Sequence, residues 1–279
     1  MKIVIWGVVA IAYLFIATEK GSATLHDNAC GKRDPMGPKI AGGQDSEIRA
    51  HPWMVMVISN KPCGGSLINP RYVLTAAHCI SIKDMKVRLA ADGLGPSLTK
   101  AFEVEVDMKI IHDKFVYAGN TGYDIGLLRM ARSVQYTDYV KPICLLVDEQ
   151  EKPVQTFTVT GWGKNQFGIR SHILQEATLN NADLRRCSFK FWNSYVLFEI
   201  CAESTKSDAC GGDSGGPLSA QRKYDEEERV FQYGIVSHGS PQCTGIGIYT
   251  NVTHFTNWIL SAVELYGFDD VQGCTLYHV

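Results

Sequence analysis

Cys210-Gly211-Gly212-Asp213-Ser214-Gly215-Gly216-Pro217 is the stretch on which the reading of this chain turns. An alcohol side chain is a poor nucleophile unless a base takes its proton and fixed donors meet the oxyanion that forms. Two further islands supply a base and a carboxylate: Thr75-Ala76-Ala77-His78-Cys79 and Asp124-Ile125-Gly126-Leu127-Leu128. A Gly-x-Ser-x-Gly alone is weak, because several hydrolase folds and many glycine loops contain it. A tight turn would need neither Asp213 nor a distant His-Asp pair, so the joint pattern is the signal.

Around these islands lie short apolar runs at 53–58, 72–75, 86–89, 102–111, 126–130, 157–161, 231–236 and 247–252, most of them rich in Val, Ile, Tyr and Phe. Asn60-Lys61-Pro62, Asn69-Pro70, Asp92-Gly93 and Ser240-Pro241 interrupt them, the pattern of a mainly β barrel or sandwich. Only the end reads as plainly helical. From Phe255, the apolar residues Ile259, Ala262, Val263 and Tyr266 fall three or four apart, and Gly267 stops the run. The charged run 222–229 sits between two strands and reads as a solvated hairpin tip. The tail 269–279 has no clear place in a barrel.

The chain has 279 residues, 45% of them hydrophobic, and a formal charge of -2 with both signs spread along its length. It is large enough for a full core. It lacks the concentrated positive field that nucleic acid or an anionic membrane requires, so neither is expected as a partner. A short apolar stretch at 3–17, followed by the small residues Gly21, Ser22 and Ala23, reads as a signal peptide over 1–23 and predicts a secreted, extracellular product. Nine cysteines behind such a signal predict disulfides, and an odd number leaves at least one without an intramolecular partner. Spacing fixes no pairing. There is no Cys-x-x-Cys and no His-Glu-x-x-His, so no metal is expected.

Taken with the His, Asp, Ser order, Gly161-Trp162-Gly163 and Gly234-Ile235-Val236-Ser237, these islands resemble the chymotrypsin/trypsin family of serine peptidases. The likeness runs from Ile40 to the closing helix near Gly267. It implies an all-β fold, two packed six-stranded antiparallel barrels with a C-terminal helix, occupying 40–268. The catalytic part is similar to arthropod cascade peptidases, without a clip domain. By that resemblance Ser214 is the nucleophile, His78 takes and returns its proton, and Asp124 fixes the imidazole. The N–H groups of Gly212 and Ser214 form the oxyanion hole, each such donor being worth about 3 to 4 kcal/mol. Asp208 is the floor of the specificity pocket, with Gly239 and Gly247 as walls, which implies cleavage after Arg or Lys. His238 and Gly211 depart from the usual tryptophan and longer side chain at their positions. His51, His112 and His172 lie outside these islands and read as structural.

The resemblance also implies a switch and staples. Cutting after Lys39, at the end of a propeptide 24–39, frees an Ile40 amine that pairs with Asp213 and orders the oxyanion loop. Family pairing gives Cys63 with Cys79, Cys187 with Cys201, Cys210 with Cys243, and Cys30 with Cys144 as a tether for the propeptide. Cys274 is left over. Asn251-Val252-Thr253 is the glycosylation sequon. The expected partners are protein substrates cut after Arg or Lys, an activating trypsin-like peptidase and a protein inhibitor, with no cofactor and no calcium loop. The alternative is a catalytically silent homologue that binds a partner through the same fold.

Overall fold

The computed structural model describes residues 27–33, 44–45, 47–91, 100–118, 121–146, 154–163, 171–191, 198–204, 214–224, 226–239, 245–267 and 275–278. Strands dominate the order of elements. The first group is β1 (Gln44–Asp45), β2 (Met54–Ile58), β3 (Cys63–Leu67), β4 (Tyr72–Thr75), β5 (Lys86–Leu89), β6 (Phe102–Ile111), α1 (Asp113–Ala118) and β7 (Gly126–Met130). The second is β8 (Thr156–Gly161), β9 (Gln175–Ala182), α2 (Leu184–Phe191), β10 (Glu199–Glu203), β11 (Pro217–Tyr224), β12 (Glu227–Gly239) and β13 (Ile246–Asn251), followed by α3 (Thr256–Tyr266) and β14 (Thr275–His278).

Two closed barrels result, as expected. One runs β6-β5-β2-β3-β4-β7 and closes by pairing β6 with β7; the other runs β9-β10-β13-β12-β11-β8 and closes by pairing β9 with β8. Each is six-stranded and antiparallel, and closure removes the sheet edges that would otherwise recruit other chains. β5 shows how the sequence sets the faces. Val87 and Leu89 point inward and are buried, while Lys86 and Arg88 point outward and pair with Glu105 and Glu103 across the register, each at 2.7 Å.

Each barrel carries one additional strand. β1 pairs antiparallel with β9, and β14 pairs parallel with β6 from Met108 to Ile111, beyond the part of β6 that β5 covers. Segment Thr275–His278 of the tail therefore does have a place in the sheet, contrary to the reading from sequence. Hydrophobic pattern could not locate it, because its backbone supplies the pairing. α1 and α2 were also missed. α2 turns an apolar face of Leu184, Cys187 and Phe191 toward Ile248, but in eight residues this is too short a period to stand out among the polar residues between them.

α3 ends where expected, with Gly267 as its C-cap. Its end is tied down by a buried network. Arg129 donates to Asp107 from Nε at 2.9 Å and to the Tyr266 carbonyl from Nη1 at 2.7 Å, while Tyr72 donates its hydroxyl to the Gly267 carbonyl at 2.8 Å. Arg71 donates to the same Asp107 at 3.2 Å. The surplus positive charge is met by the Met130 carbonyl, which accepts from Arg71 Nε at 2.8 Å.

The hairpin of β11 and β12 has an exposed acidic tip, as expected, but its base is not solvated. Arg229 is buried and donates to the Asn28 carbonyl at 3.3 Å and to Glu227 at 3.1 Å. Segment 27–33 is seated there. Gly31 donates to the Pro142 carbonyl at 2.8 Å and accepts from Val230 at 3.1 Å, and Cys30 is bonded to Cys144. Cys63–Cys79 and Cys187–Cys201 are formed too. Cys210, Cys243 and Cys274 lie outside the described residues.

Candidate active site

The seam between the barrels is crossed by polar contacts made from both sides. His51 Nε2 meets Glu176 Oε2 at 2.6 Å, and Ser66 donates to Gln232 Oε1 at 2.6 Å. The structural reading of His51 fits this pairing. His112 packs against Tyr123, Phe255 and Trp258 at ring-centroid distances of 5.0, 5.3 and 5.2 Å, also away from any site.

At this seam the islands of the sequence converge. His78 lies on the short 3-10 turn Ala77–Cys79 that follows β4, and Asp124 lies just before β7, which pairs with β4. That pairing places Thr75 opposite Gly126 and so brings the two side chains together. The carboxylate takes two donations from one residue: the His78 backbone N–H to Oδ1 at 2.9 Å and His78 Nδ1 to Oδ2 at 2.6 Å. Asp124 has a side-chain exposure of 1%, whereas His78 retains 34% and opens to the surface.

The second barrel completes the hold on Asp124. Ser237 on β12 donates its hydroxyl to Oδ2 at 2.7 Å, and Thr250 on β13 donates to the Asp124 main-chain carbonyl at 2.9 Å. Burial pushes the carboxyl pKa up, but the donations and charge from His78 and the Ser237 hydroxyl outweigh it and hold the group below the usual carboxylate range. Asp124 is thus an ionised acceptor. Neither residue is legible as functional from sequence: Ser237 only ends the Gly234-Ile235-Val236-Ser237 motif, and Thr250 is one alcohol in an ordinary strand.

Ser214 comes from the other side of the seam. Its carbonyl accepts from the Gly64 N–H at 2.8 Å and lies 3.4 Å from Cys79 Sγ, next to His78. Gly215, which follows, has φ +85° and donates to the Val236 carbonyl at 2.8 Å. A Cβ there would stand 2.3 Å from Thr75 Oγ1 and 2.4 Å from the Gly64 carbonyl, so both conformation and space demand glycine. The Cys63–Cys79 bridge fixes the same corner. Cys63, His78 and Cys79 bring ligand-type atoms within 4.8 Å of one another, but both sulfurs are committed to that disulfide.

Gly239 and Gly247 stand opposite each other where β12 ends and β13 begins. A Cβ on Gly247 would come within 3.1 Å of the Tyr249 hydroxyl and 3.3 Å of the His238 carbonyl. Burial raises the Tyr249 pKa, which keeps that hydroxyl protonated. Lys39, Ile40, Asp208, Gly211, Gly212 and Asp213 lie outside the described residues, so the switch, the pocket floor and one oxyanion donor are not located. Asn251 is half-buried; its Oδ1 accepts from Thr253 N–H at 3.1 Å and from Thr253 Oγ1 at 2.6 Å.

This geometry has close relatives. The family model described as Trypsin matches residues 40–259. Serine protease grass of Drosophila melanogaster is 30% identical over 260 residues, covering 82% of this chain and 69% of the relative. Phenoloxidase-activating factor 1 of Holotrichia diomphalia is 34% identical over 268 residues, covering 84% and 72%. A solved structure, the Drosophila Grass clip serine protease of the Toll pathway, superposes with a TM-score of 0.72 at 28% identity, covering 88% of this chain and 78% of that one. With the matched region spanning both barrels and including His78, Asp124 and Ser214, the chain belongs to the trypsin family of serine proteases.

Proposed function

We propose that this chain is the precursor of a secreted endopeptidase that, once cut after Lys39, hydrolyses peptide bonds after Arg or Lys through an acyl-enzyme. The observation that carries the reading is the 2.6 Å contact of His78 Nδ1 with Asp124, made beside a Ser214 whose main chain is anchored to β3. Ionised Asp124 accepts from Nδ1–H and so leaves the lone pair on Nε2, the atom that takes the Ser214 proton. The imidazolium formed then gives that proton to the leaving amine. The N–H groups of Gly212 and Ser214 meet the developing oxyanion.

Asp208, by resemblance the floor of the specificity pocket, gives it a preference for a cation. The Cys30–Cys144 bridge and the seat of segment 27–33 support a propeptide that stays attached after cleavage. That arrangement suits a cascade protease, as do relatives named for activating phenoloxidase or belonging to the Toll pathway. An activating trypsin-like peptidase upstream and a protein inhibitor are the corresponding partners. Among the described residues no helix is long and apolar enough to cross a membrane.

The test is hydrolysis of fluorogenic Arg, Lys and Phe peptides by the purified precursor before and after cleavage at Lys39, with Ser214→Ala as control. Activity confined to the cleaved protein, directed to Arg and Lys and abolished in the control is expected. A correctly cleaved, folded and inert protein would overturn the proposal in favour of a silent binding homologue.

A further inference from the structure

The side chain that departs from the family pattern, His238, lies beside the catalytic dyad. Its ring centroid is 6.5 Å from that of His78, with the planes inclined at 55°, and both residues are exposed. Ser237 connects them. The single Ser237 hydroxyl hydrogen goes to Asp124 Oδ2 at 2.7 Å, so the 2.9 Å contact with His238 Nδ1 must be a donation from the ring to Ser237.

Both imidazoles therefore carry their hydrogen on Nδ1. His78 gives its hydrogen to Asp124 directly, and His238 gives its own through Ser237 to the same carboxylate. What remains on each ring is an Nε2 lone pair on the side away from that buried acid. A histidine whose second nitrogen is anchored to a carboxylate or hydroxyl is the usual form of a metal ligand, its orientation and tautomer set in advance.

We propose that His78 and His238 form a two-histidine site for a divalent transition metal, Zn²⁺ by its affinity for imidazole, and that the bound ion reversibly blocks the enzyme. The inference rests on the reading of His78 as catalytic base only for its consequence, not for binding. Two imidazoles sharing a tetrahedral Zn²⁺ at about 2.0 to 2.1 Å stand with centroids roughly 5 to 5.5 Å apart. From 6.5 Å, a swing of about 1 to 1.5 Å by the exposed His238 ring closes that gap. Water fills the other positions, and no bond to carbon is made or broken. With its Nε2 lone pair on zinc, His78 cannot accept the Ser214 proton. Because the ligands come from opposite barrels, the ion also bridges the seam.

Isothermal titration of Zn²⁺ into the full chain carrying Ser214→Ala measures binding without catalysis. At least tenfold weaker binding is expected when either His238→Gln or His78→Gln is added. His238→Trp, which keeps an aromatic ring and offers no ligand, serves as a second variant, with near-ultraviolet circular dichroism reporting the fold. Zinc affinity unchanged in both His238 variants overturns the site. In the cleaved enzyme, zinc inhibition reversed by chelator should weaken at least tenfold in His238→Gln; equal inhibition of both enzymes also counts against the proposal. Zinc bound normally by a cleaved protein that hydrolyses nothing supports the site and defeats the catalytic reading instead.

Discussion

Ser237 and His78 donate to the same oxygen, Asp124 Oδ2, at 2.7 and 2.6 Å, so one carboxylate atom is held from both barrels at once. The orientation of the His78 ring in one barrel thus depends on a hydroxyl in the other. Removing it in Ser237→Ala deletes a hydrogen bond to a charged acceptor, typically worth about 1.5 to 3 kcal/mol. Steady-state kinetics should show kcat reduced by roughly 10- to 100-fold with KM little changed.

The same substitution has an effect on acid stability whose sign follows from Asp124. Its folded pKa is depressed, so it contributes stability above the unfolded carboxyl value of about 4, and that contribution is lost as pH falls through the folded value. Without the Ser237 donor the folded pKa rises. Acid titration followed by circular dichroism should place the unfolding midpoint of Ser237→Ala at higher pH than that of the parent.

Gly215→Ala places a methyl group against Thr75 and Gly64 and forces φ +85° on a residue with a Cβ. The backbone must shift, and with it the Ser214 carbonyl bonded to Gly64. Activity should fall at least tenfold and thermal stability should fall as well, since the αL conformation alone costs roughly 1 to 2 kcal/mol. Wild-type activity in a folded Gly215→Ala enzyme would show that this corner is not fixed.

Asp107 is shared by Arg71 and Arg129, and Arg129 in turn holds the carbonyl of Tyr266 at the end of α3. Asp107→Ala leaves two buried guanidinium groups without their anion, a loss of about 3 to 5 kcal/mol. Urea unfolding should show it as a lower midpoint. Asp107→Asn, which keeps an acceptor, should fall between the two.

His112 has its pKa lowered by burial among Tyr123, Phe255 and Trp258, with Asp113 opposing and Lys114 and His254 adding to the shift. A histidine kept neutral in the fold supports stability above its unfolded value of about 6.5, and that support is lost as pH falls below it. Melting temperatures between pH 7 and pH 5 should decline less in His112→Phe than in the parent.

Cleavage after Lys39 should leave one species on a non-reducing gel and release a short fragment only after reduction, because Cys30 remains joined to Cys144. Loss of the fragment without reduction would remove the tether from the account.

The strands that could be read in advance, such as β2, β4 and β7, are Val-, Leu- or Ile-rich and buried along nearly their whole length. β9, Gln-Glu-Ala-Thr-Leu-Asn-Asn-Ala, buries only Leu179 and is a strand because β8, β10 and β1 pair with it. That information is tertiary, and no local propensity carries it. The site divides in the same way. His78, Asp124 and Ser214 stood out because glycines and small residues make room around them, whereas Ser237 and Thr250 lie in regular strands and acquire their role only when the barrels meet.

The Cys30–Cys144 bond closes a covalent ring with a sequence separation of 114, taking in the whole strand circuit of the first barrel. A single cut anywhere on that ring opens it without producing a second molecule. The chain can therefore gain new ends there while its mass, apart from one added water, and its diffusion stay as they were. While the bridge is intact, nicked and intact forms are told apart by counting amino termini, not by size.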